Sequence, residues 1–328
     1  MRLLLFLLLA WWFTGEAAER GRLVNPATYL GMADASGGVA VGSNLFVVAD
    51  DESNAIRLYS ADTPGPPLQQ YDFSAFVQVE RKHVEADLEA AARIGDRIYW
   101  IGSHGRNKNG RERPNRGCFF GTAIRDAGGQ VQVLPVGQPY RALLRDLEAD
   151  PRFQGYRLAQ AAARGPKEPA GLNIEGLSAT PEGHLLIGFR NPIPDGKALL
   201  IPMTNPTEVV GGSRPAFEPG IQLDLDGLGI RDIALYQQTY IIIAGSYHGG
   251  GKFELFRWSG GNSGPERIKI KRLNDYHPEA IIIYPGKGLR EFQLLSDDGT
   301  EPVDGVPGKE VKDPSKKTFR SVWVREEE

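Results

Sequence analysis

One short pattern recurs along this chain and constrains its fold more than any other feature. Residues 173–191 read N-I-E-G-L-S-A-T-P-E-G-H-L-L-I-G-F-R-N: an acid, a short apolar run, a turn at Pro181, Glu182 and Gly183, then a second apolar run that ends in polar residues. Two short runs joined by turn residues predict a β-hairpin. Residues 38–42 with 45–50, 88–92 with 97–102, 232–236 with 240–245 and 279–283 with 291–296 repeat it. Aligned on Gly38, Glu89, Glu175, Asp232 and Glu279, the units are spaced by 51, 86, 57 and 47 residues.

Further short runs follow each hairpin, so each unit holds about four strands. A period near 40–50 residues with four strands per repeat predicts an all-β chain folded as a β-propeller. Five blades are counted; six is the alternative if two units have been merged. The long interval coincides with the only helical pattern, about 138–165, where Leu143, Leu144 and Leu147 share one face. A small helical insertion is expected there. The last unit lacks a fourth strand, which residues 28–31 near the start of the chain are expected to supply, closing the ring and removing an exposed sheet edge. A β-sandwich is the competing architecture, but it does not require polar residues to recur at the same two places of each hairpin.

The first residues bear on address. Arg2 precedes an apolar run from Leu3 to Phe13, and Gly15 and Ala17 are small residues at its exit. That pattern predicts a signal peptide over 1–17 and a single propeller domain over 18–328, exported to the periplasm or beyond the cell. The run is too short for a membrane span, which needs about 20 apolar residues, and no later run approaches that length. Cys118 is the only cysteine, so an intramolecular disulfide is excluded. The net charge of −3 gives no nucleic-acid footprint. A monomer is expected.

In a four-stranded blade the first strand lines the central channel and the second runs antiparallel beside it. The start of one and the end of the other therefore share a rim. Starts carry Asp87, Glu89, Glu175, Asp232 and Glu279; ends carry Asp50 and Asp51, Ser103 and His104, Arg190 and Asn191, residues 246–248, and Asp297 and Asp298. Carboxylates that converge must be protonated, paired with bases or neutralised by a cation. Glu89, Glu175, Asp232 and Glu279 form the candidate metal set, with Ca²⁺ or Mg²⁺ as the cation that suits oxygen ligands. Ser103, Arg106, Lys108, Arg190, Asn191, Arg231 and His248 are candidate ligand-binding residues, and His104 and Glu175 the candidate catalytic pair. The same acids and bases also serve a purely structural reading, in which they pair and fix blade to blade. The basic loop 103–116 either cradles an anion or is a solvated charge run. Zinc, nucleophile-elbow and P-loop motifs are absent from the sequence.

The segments at 87–90 (D-L-E-A), 101–108 (I-G-S-H-G-R-N-K), 173–177 (N-I-E-G-L), 229–234 (G-I-R-D-I-A), 277–280 (H-P-E-A) and 294–300 (L-L-S-D-D-G-T) resemble the bacterial family catalogued as domain of unknown function 3616. The E-G-L motif followed by a strand that ends S-D-D is also similar, more distantly, to esterase-like phytase propellers. These resemblances imply a propeller and an exported setting, and assign no catalytic residue. In the first repeat Gly37 and Gly38 stand where the others carry an acid.

Two functions fit. One is an exported metal-dependent hydrolase of a small anionic ester, a phosphoester first. The other is a non-catalytic propeller that binds a protein or an envelope glycan on the same face.

Overall fold

Runs such as Tyr240-Ile-Ile-Ile-Ala are apolar at consecutive positions, which is what a strand covered on both faces requires. The computed structural model shows that covering. It describes residues 20–79 and 84–327, so the segment read as a signal peptide lies outside the described residues.

After β1 (Arg20–Leu30), each blade is an antiparallel four-stranded sheet in sequence order. Blade 1 holds β2 (Ala35–Ala40), β3 (Leu45–Asp50), β4 (Ala55–Ser60) and β5 (Gln69–Asp72). Blade 2 holds β6 (Leu88–Ile94), β7 (Arg97–Gly102), β8 (Phe119–Asp126) and β9 (Val131–Tyr140). Helices α1 (Leu143–Ala149) and α2 (Leu158–Ala162) follow. Blade 3 holds β10 (Asn173–Ala179), β11 (Leu185–Asn191), β12 (Ala198–Met203) and, after α3 (Pro206–Val210), β13 (Ile221–Leu223). Blade 4 holds β14 (Gly229–Tyr236), β15 (Thr239–Gly245), β16 (Phe253–Trp258) and β17 (Glu266–Ile270). Blade 5 holds β18 (Pro278–Ile282) and β19 (Glu291–Ser296); the small hairpin of β20 (Pro302–Val303) and β21 (Val306–Pro307) then leads to β22 (Thr318–Glu326).

The fourth strand of blade 5 is β1, antiparallel to β22 from Gly21↔Glu326 to Leu30↔Thr318. The first and last described strands thus share one sheet, and β1 also touches β17 of the preceding blade in parallel at Arg20 and Gly21. The fold is a five-bladed propeller, and the alternative count of six does not hold. Inner strands β2, β6, β10, β14 and β18 neighbour one another around the ring.

Five hydrophobic layers fill the five spaces between blades. Phe46, Tyr59, Tyr29 and Phe319 close the space between blades 5 and 1, and Trp100 and Phe120 lie in that between blades 1 and 2. The helical insertion extends the layer between blades 2 and 3, where Leu143, Leu147, Phe153 and Leu158 are buried while Leu144 is only partly covered. Cys118 is buried at the entry to β8. No helix among the described residues is long and apolar enough to cross a membrane.

Candidate functional site

Every inner strand breaks register with its neighbour at the same level. The residue skipped by the pairing is Gly37 in β2, Glu89 in β6, Glu175 in β10, Arg231 in β14 and Glu279 in β18. A β-bulge re-aims the side chain of its extra residue, so five equivalent bulges build one ring at the channel mouth. Its members are a glycine, three glutamates and an arginine. In blade 3 the second strand is bulged too, and its extra residue is Arg190.

Charges on the blade 3, 4 and 5 side of this ring are tightly paired. Glu175 Oε1 accepts from Asn173 Nδ2 and from Arg190 Nη1, both at 2.6 Å. Its Oε2 lies 3.0 Å from Arg231 Nη1, and Arg231 Nη2 bonds Glu279. Arg231 therefore joins three blades. Each of these side chains is buried or nearly so, and deleting one partner of such a pair costs about 3–5 kcal/mol because the other charge is stranded.

The pairing is incomplete. Arg190 Nη2 and Arg231 Nε are buried and donate no hydrogen bond among the described residues, and Arg231 Nη1 has only its ion-pair contact with Glu175. Lys167 reaches the same place from the loop after α2. Asn191 Nδ2 donates to the carbonyls of Pro166 and Glu168 at 2.9 and 2.8 Å and so holds that loop over the mouth. The residue as a whole is exposed, but partial burial of its ammonium group, followed by the Arg190 and Arg231 charges, lowers its pKa.

The other side of the ring is acidic. Oxygens of Asp51, Asp87 and Glu89 lie within 4.8 Å of one another, and Asp51 forms a second such group with Asp34 and Glu52. Arg116 Nη1 pairs with Asp87 at 2.9 Å, and its Nη2 bonds Glu85 at 2.6 Å. Glu89 accepts no hydrogen bond among the described residues; burial, then Asp87 and Glu175, hold its carboxyl well above the usual range.

The candidate residues read from the sequence thus separate into groups. Glu175, Arg190, Arg231 and Glu279 come together, while Glu89 stands with the acids of blade 1. The four-acid metal set does not converge on one point. Asp232, one residue past the bulge, lies lower on the channel wall, where its two oxygens accept from the amides of Ile233 (2.8 Å) and Ile281 (2.7 Å). It ties blade 4 to blade 5.

His104 turns away from the channel. Its Nδ1 lies 2.8 Å from the Gly102 carbonyl oxygen, and its ring sits by Gly117 and feels the Arg141 charge. Burial pushes its pKa down to about 4. Ser103 Oγ accepts from the Gly105 amide at 3.2 Å. Arg106 is consumed by the carbonyls of Ala162 and Gly110 and by Glu112, and Lys108 and His248 are exposed. Below the ring the channel widens into a cavity of about 360 Å³, walled by inner-strand residues such as Val39, Ala92, Leu177, Ala234 and Ile283.

Residues 125–282 match the model of the family described as "Protein of unknown function (DUF3616)". The family resemblance holds over that stretch. It carries Glu175, Arg190, Arg231 and Glu279 and leaves out the acids of blades 1 and 2. None of the curated proteins matches the chain. Among solved structures, the glutaminyl cyclase of Myxococcus xanthus is 12% identical, over 95% of this chain and 100% of its own, with a TM-score of 0.50. The PQQ-bound aldose sugar dehydrogenase of Streptomyces coelicolor is 10% identical over 92% and 99% with a TM-score of 0.42, and the six-bladed Aleuria aurantia lectin 12% identical over 85% and 70% with 0.37. The first likeness concerns the fold alone; the other two are too loose to bear on it.

Proposed function

We propose that this chain is an exported propeller whose channel mouth binds a small anionic molecule. The observation that carries the reading is the pair of buried guanidinium nitrogens, Arg190 Nη2 and Arg231 Nε, that find no acceptor among the described residues. A buried donor without a partner costs about 1–3 kcal/mol, more when charged, and an anion with several oxygens satisfies such donors at once. Guanidinium forks match carboxylate and phosphate geometry. Lys167 adds a third positive group over the same point.

The resemblance to esterase-like phytase propellers is read from the sequence alone and is not found among the solved structures named above; it makes phosphoesters the first class to try. His104 faces elsewhere and Glu175 is held by two arginines and Asn173, so neither supports the proton transfers a hydrolase needs. The reading is therefore one of binding, with turnover as its extension. Export rests on the leading segment 1–17; secretion of the full chain with loss of that segment, read by mass, tests it.

Binding is tested by thermal unfolding with inorganic phosphate, a phosphomonoester and a dicarboxylate. A ligand that binds only the folded form raises the midpoint with the logarithm of its concentration. Such a rise is expected, absent in Arg190→Gln and weakened in Lys167→Ala, whose exposed side chain can be removed without loss of core. Equal responses in the wild type and both variants, or none to any anion, would sink the proposal.

A further inference from the structure

Across the mouth from the two guanidiniums the ring lacks a charged member. Gly37 fills the bulge position of blade 1 without a side chain, and carboxylates from separate segments gather on that side of the mouth: Asp34 before β2, Asp51 just past β3, and Asp87 and Glu89 at the head of β6. The neighbouring acids are already engaged: Asp50 accepts from Arg57, and Asp298 from Arg320. Asp51 and Asp34 have no base of this kind among the described residues.

A second observation stands apart from the acid triad at Asp51, Asp87 and Glu89. Asp34 is 5% exposed and its Oδ2 is buried without a hydrogen-bond partner. Ser36 is 1% exposed and its hydroxyl is equally unpartnered. Side chains alternate along a strand; Ser36 pairs with Ala49, so it shares the face of β3 from which Asp51, two residues on, turns toward β6. Buried polar atoms from several segments of the fold thus meet at one place with their bonds unmade. Such a place must take up protons or a cation. Burial first, then the neighbouring acids, keeps Asp51 and Glu89 well above the ordinary carboxyl range.

We propose that a calcium ion binds among these acids, held by carboxylate oxygens of Asp34, Asp51, Asp87 and Glu89 and by the Ser36 hydroxyl. All the donors are oxygens, which suits a hard cation. Ca²⁺ takes about 6–8 oxygen ligands in flexible geometry, whereas Mg²⁺ demands a tight octahedron and keeps several of its waters, so a set rich in protein oxygens favours Ca²⁺. The ion joins blade 1 to blade 2 where Gly37 leaves the ring without a charged member. By offsetting part of the carboxylate charge, the ion also lowers the repulsion that an anion bound by Arg190 and Arg231 meets from the acidic side of the ring. The ion site stands without the anion reading, because none of its ligands is an arginine partner except Asp87.

The test is thermal unfolding and titration calorimetry of the chelator-treated full chain with CaCl₂, then MgCl₂, in anion-poor buffer. Ca²⁺ is expected to raise the midpoint more than Mg²⁺, and Glu89→Gln and Asp51→Asn to abolish the response. Without cation those two variants should melt at or above the wild type, since each removes a repelling carboxyl, and that separates a lost ligand from a damaged fold. Arg190→Gln should keep its Ca²⁺ response even where anion binding is lost. No heat and no midpoint shift, a larger response to Mg²⁺, or a response that survives in both acid variants would overturn the assignment.

Discussion

Gly37 and Ala90 stand so close that a Cβ on the glycine would lie 2.4 Å from the alanine Cα, with the Ala90 carbonyl carbon and amide nitrogen at 2.6 and 2.8 Å. The inner strands of blades 1 and 2 meet there backbone to backbone. Gly37 also has φ +39°, where a side chain is strained regardless of space. Gly37→Ala should therefore lose roughly 2–6 kcal/mol, as strain and overpacking cost about 1–3 kcal/mol each. Gly95 has φ +63° with nothing within 4 Å, so Gly95→Ala isolates the backbone part and should lose about 1 kcal/mol. Urea denaturation of the two variants measures the difference; equal losses would show that the Ala90 contact is not limiting.

Stability in cation-free buffer should fall as pH rises. Burial, with Asp297 next, lifts Asp34 from 3.8 to about 8. Burial lifts Asp87 to about 6 against the pull of Arg116, and Asp232 to about 8 against its two amide donors. Each folded value exceeds the unfolded one, so the native state keeps protons that the unfolded chain has released. Their contribution is complete below about pH 4 and is lost through about pH 8. His104 runs the opposite way: its folded value of about 4 lies below 6.5, so its contribution is lost as pH falls between those values. The two trends partly cancel below about pH 6.5 and only the acids act above it. Denaturation at about pH 6.5 and 8 should give the lower stability at the higher pH, with a shallower slope in Asp34→Asn. A flat or rising profile there would contradict the protonated acids.

How much of this was legible follows from the same residues. The hairpins were, because their turns are explicit and their runs are apolar on both faces. Closure by the first strand was also legible, since the last repeat is one strand short; the strand proved longer than residues 28–31. The ring was misaligned by one residue in two blades. G-I-R-D offers Arg231 and Asp232 as equal candidates, and only the bulge puts Arg231 at the mouth and Asp232 on the wall below. A bulge inserts one residue and reverses the side chains beyond it, and short apolar runs carry no mark of where that happens. Asp34 was missed because it precedes β2 and reaches the rim through a bridge to Asp297, a neighbour in space only. Lys167 was missed because its position depends on the hold of Asn191 on a distant loop. The signal of α3, a proline at its first turn, is too short to show a period.

Cys118 should be inert in the folded protein. Its thiol is fully buried, and burial pushes its pKa up to about 12, whereas the thiolate is the reactive form. Labelling by a disulfide reagent at neutral pH should proceed no faster than unfolding and become immediate in denaturant. Rapid labelling of the native chain would mean that the entry to β8 opens without the blade coming apart.

Closure of the ring can be tested at Tyr29. This β1 residue is fully buried, stacks on Phe319 of β22 with ring centroids 5.1 Å apart, and meets Phe46 and Tyr59 of blade 1 edge-on at 5.4 and 5.3 Å. Its hydroxyl donates to the Ser60 carbonyl and accepts from Gln293 Nε2, both at 3.3 Å. One side chain thus binds the first strand, the last strand and the first blade together. Tyr29→Phe removes only the two long hydrogen bonds and should lose about 1 kcal/mol. Tyr29→Ala empties the centre of the aromatic cluster and should lose about 3–5 kcal/mol. If β1 is what closes the ring, Tyr29→Ala should also make the β1–β22 amides exchange faster than those of β10 and β11, because the layer it loosens is the one that holds β1 and β22. Uniform acceleration across all five blades would instead mean that the propeller opens as one unit and that closure has no local weak point.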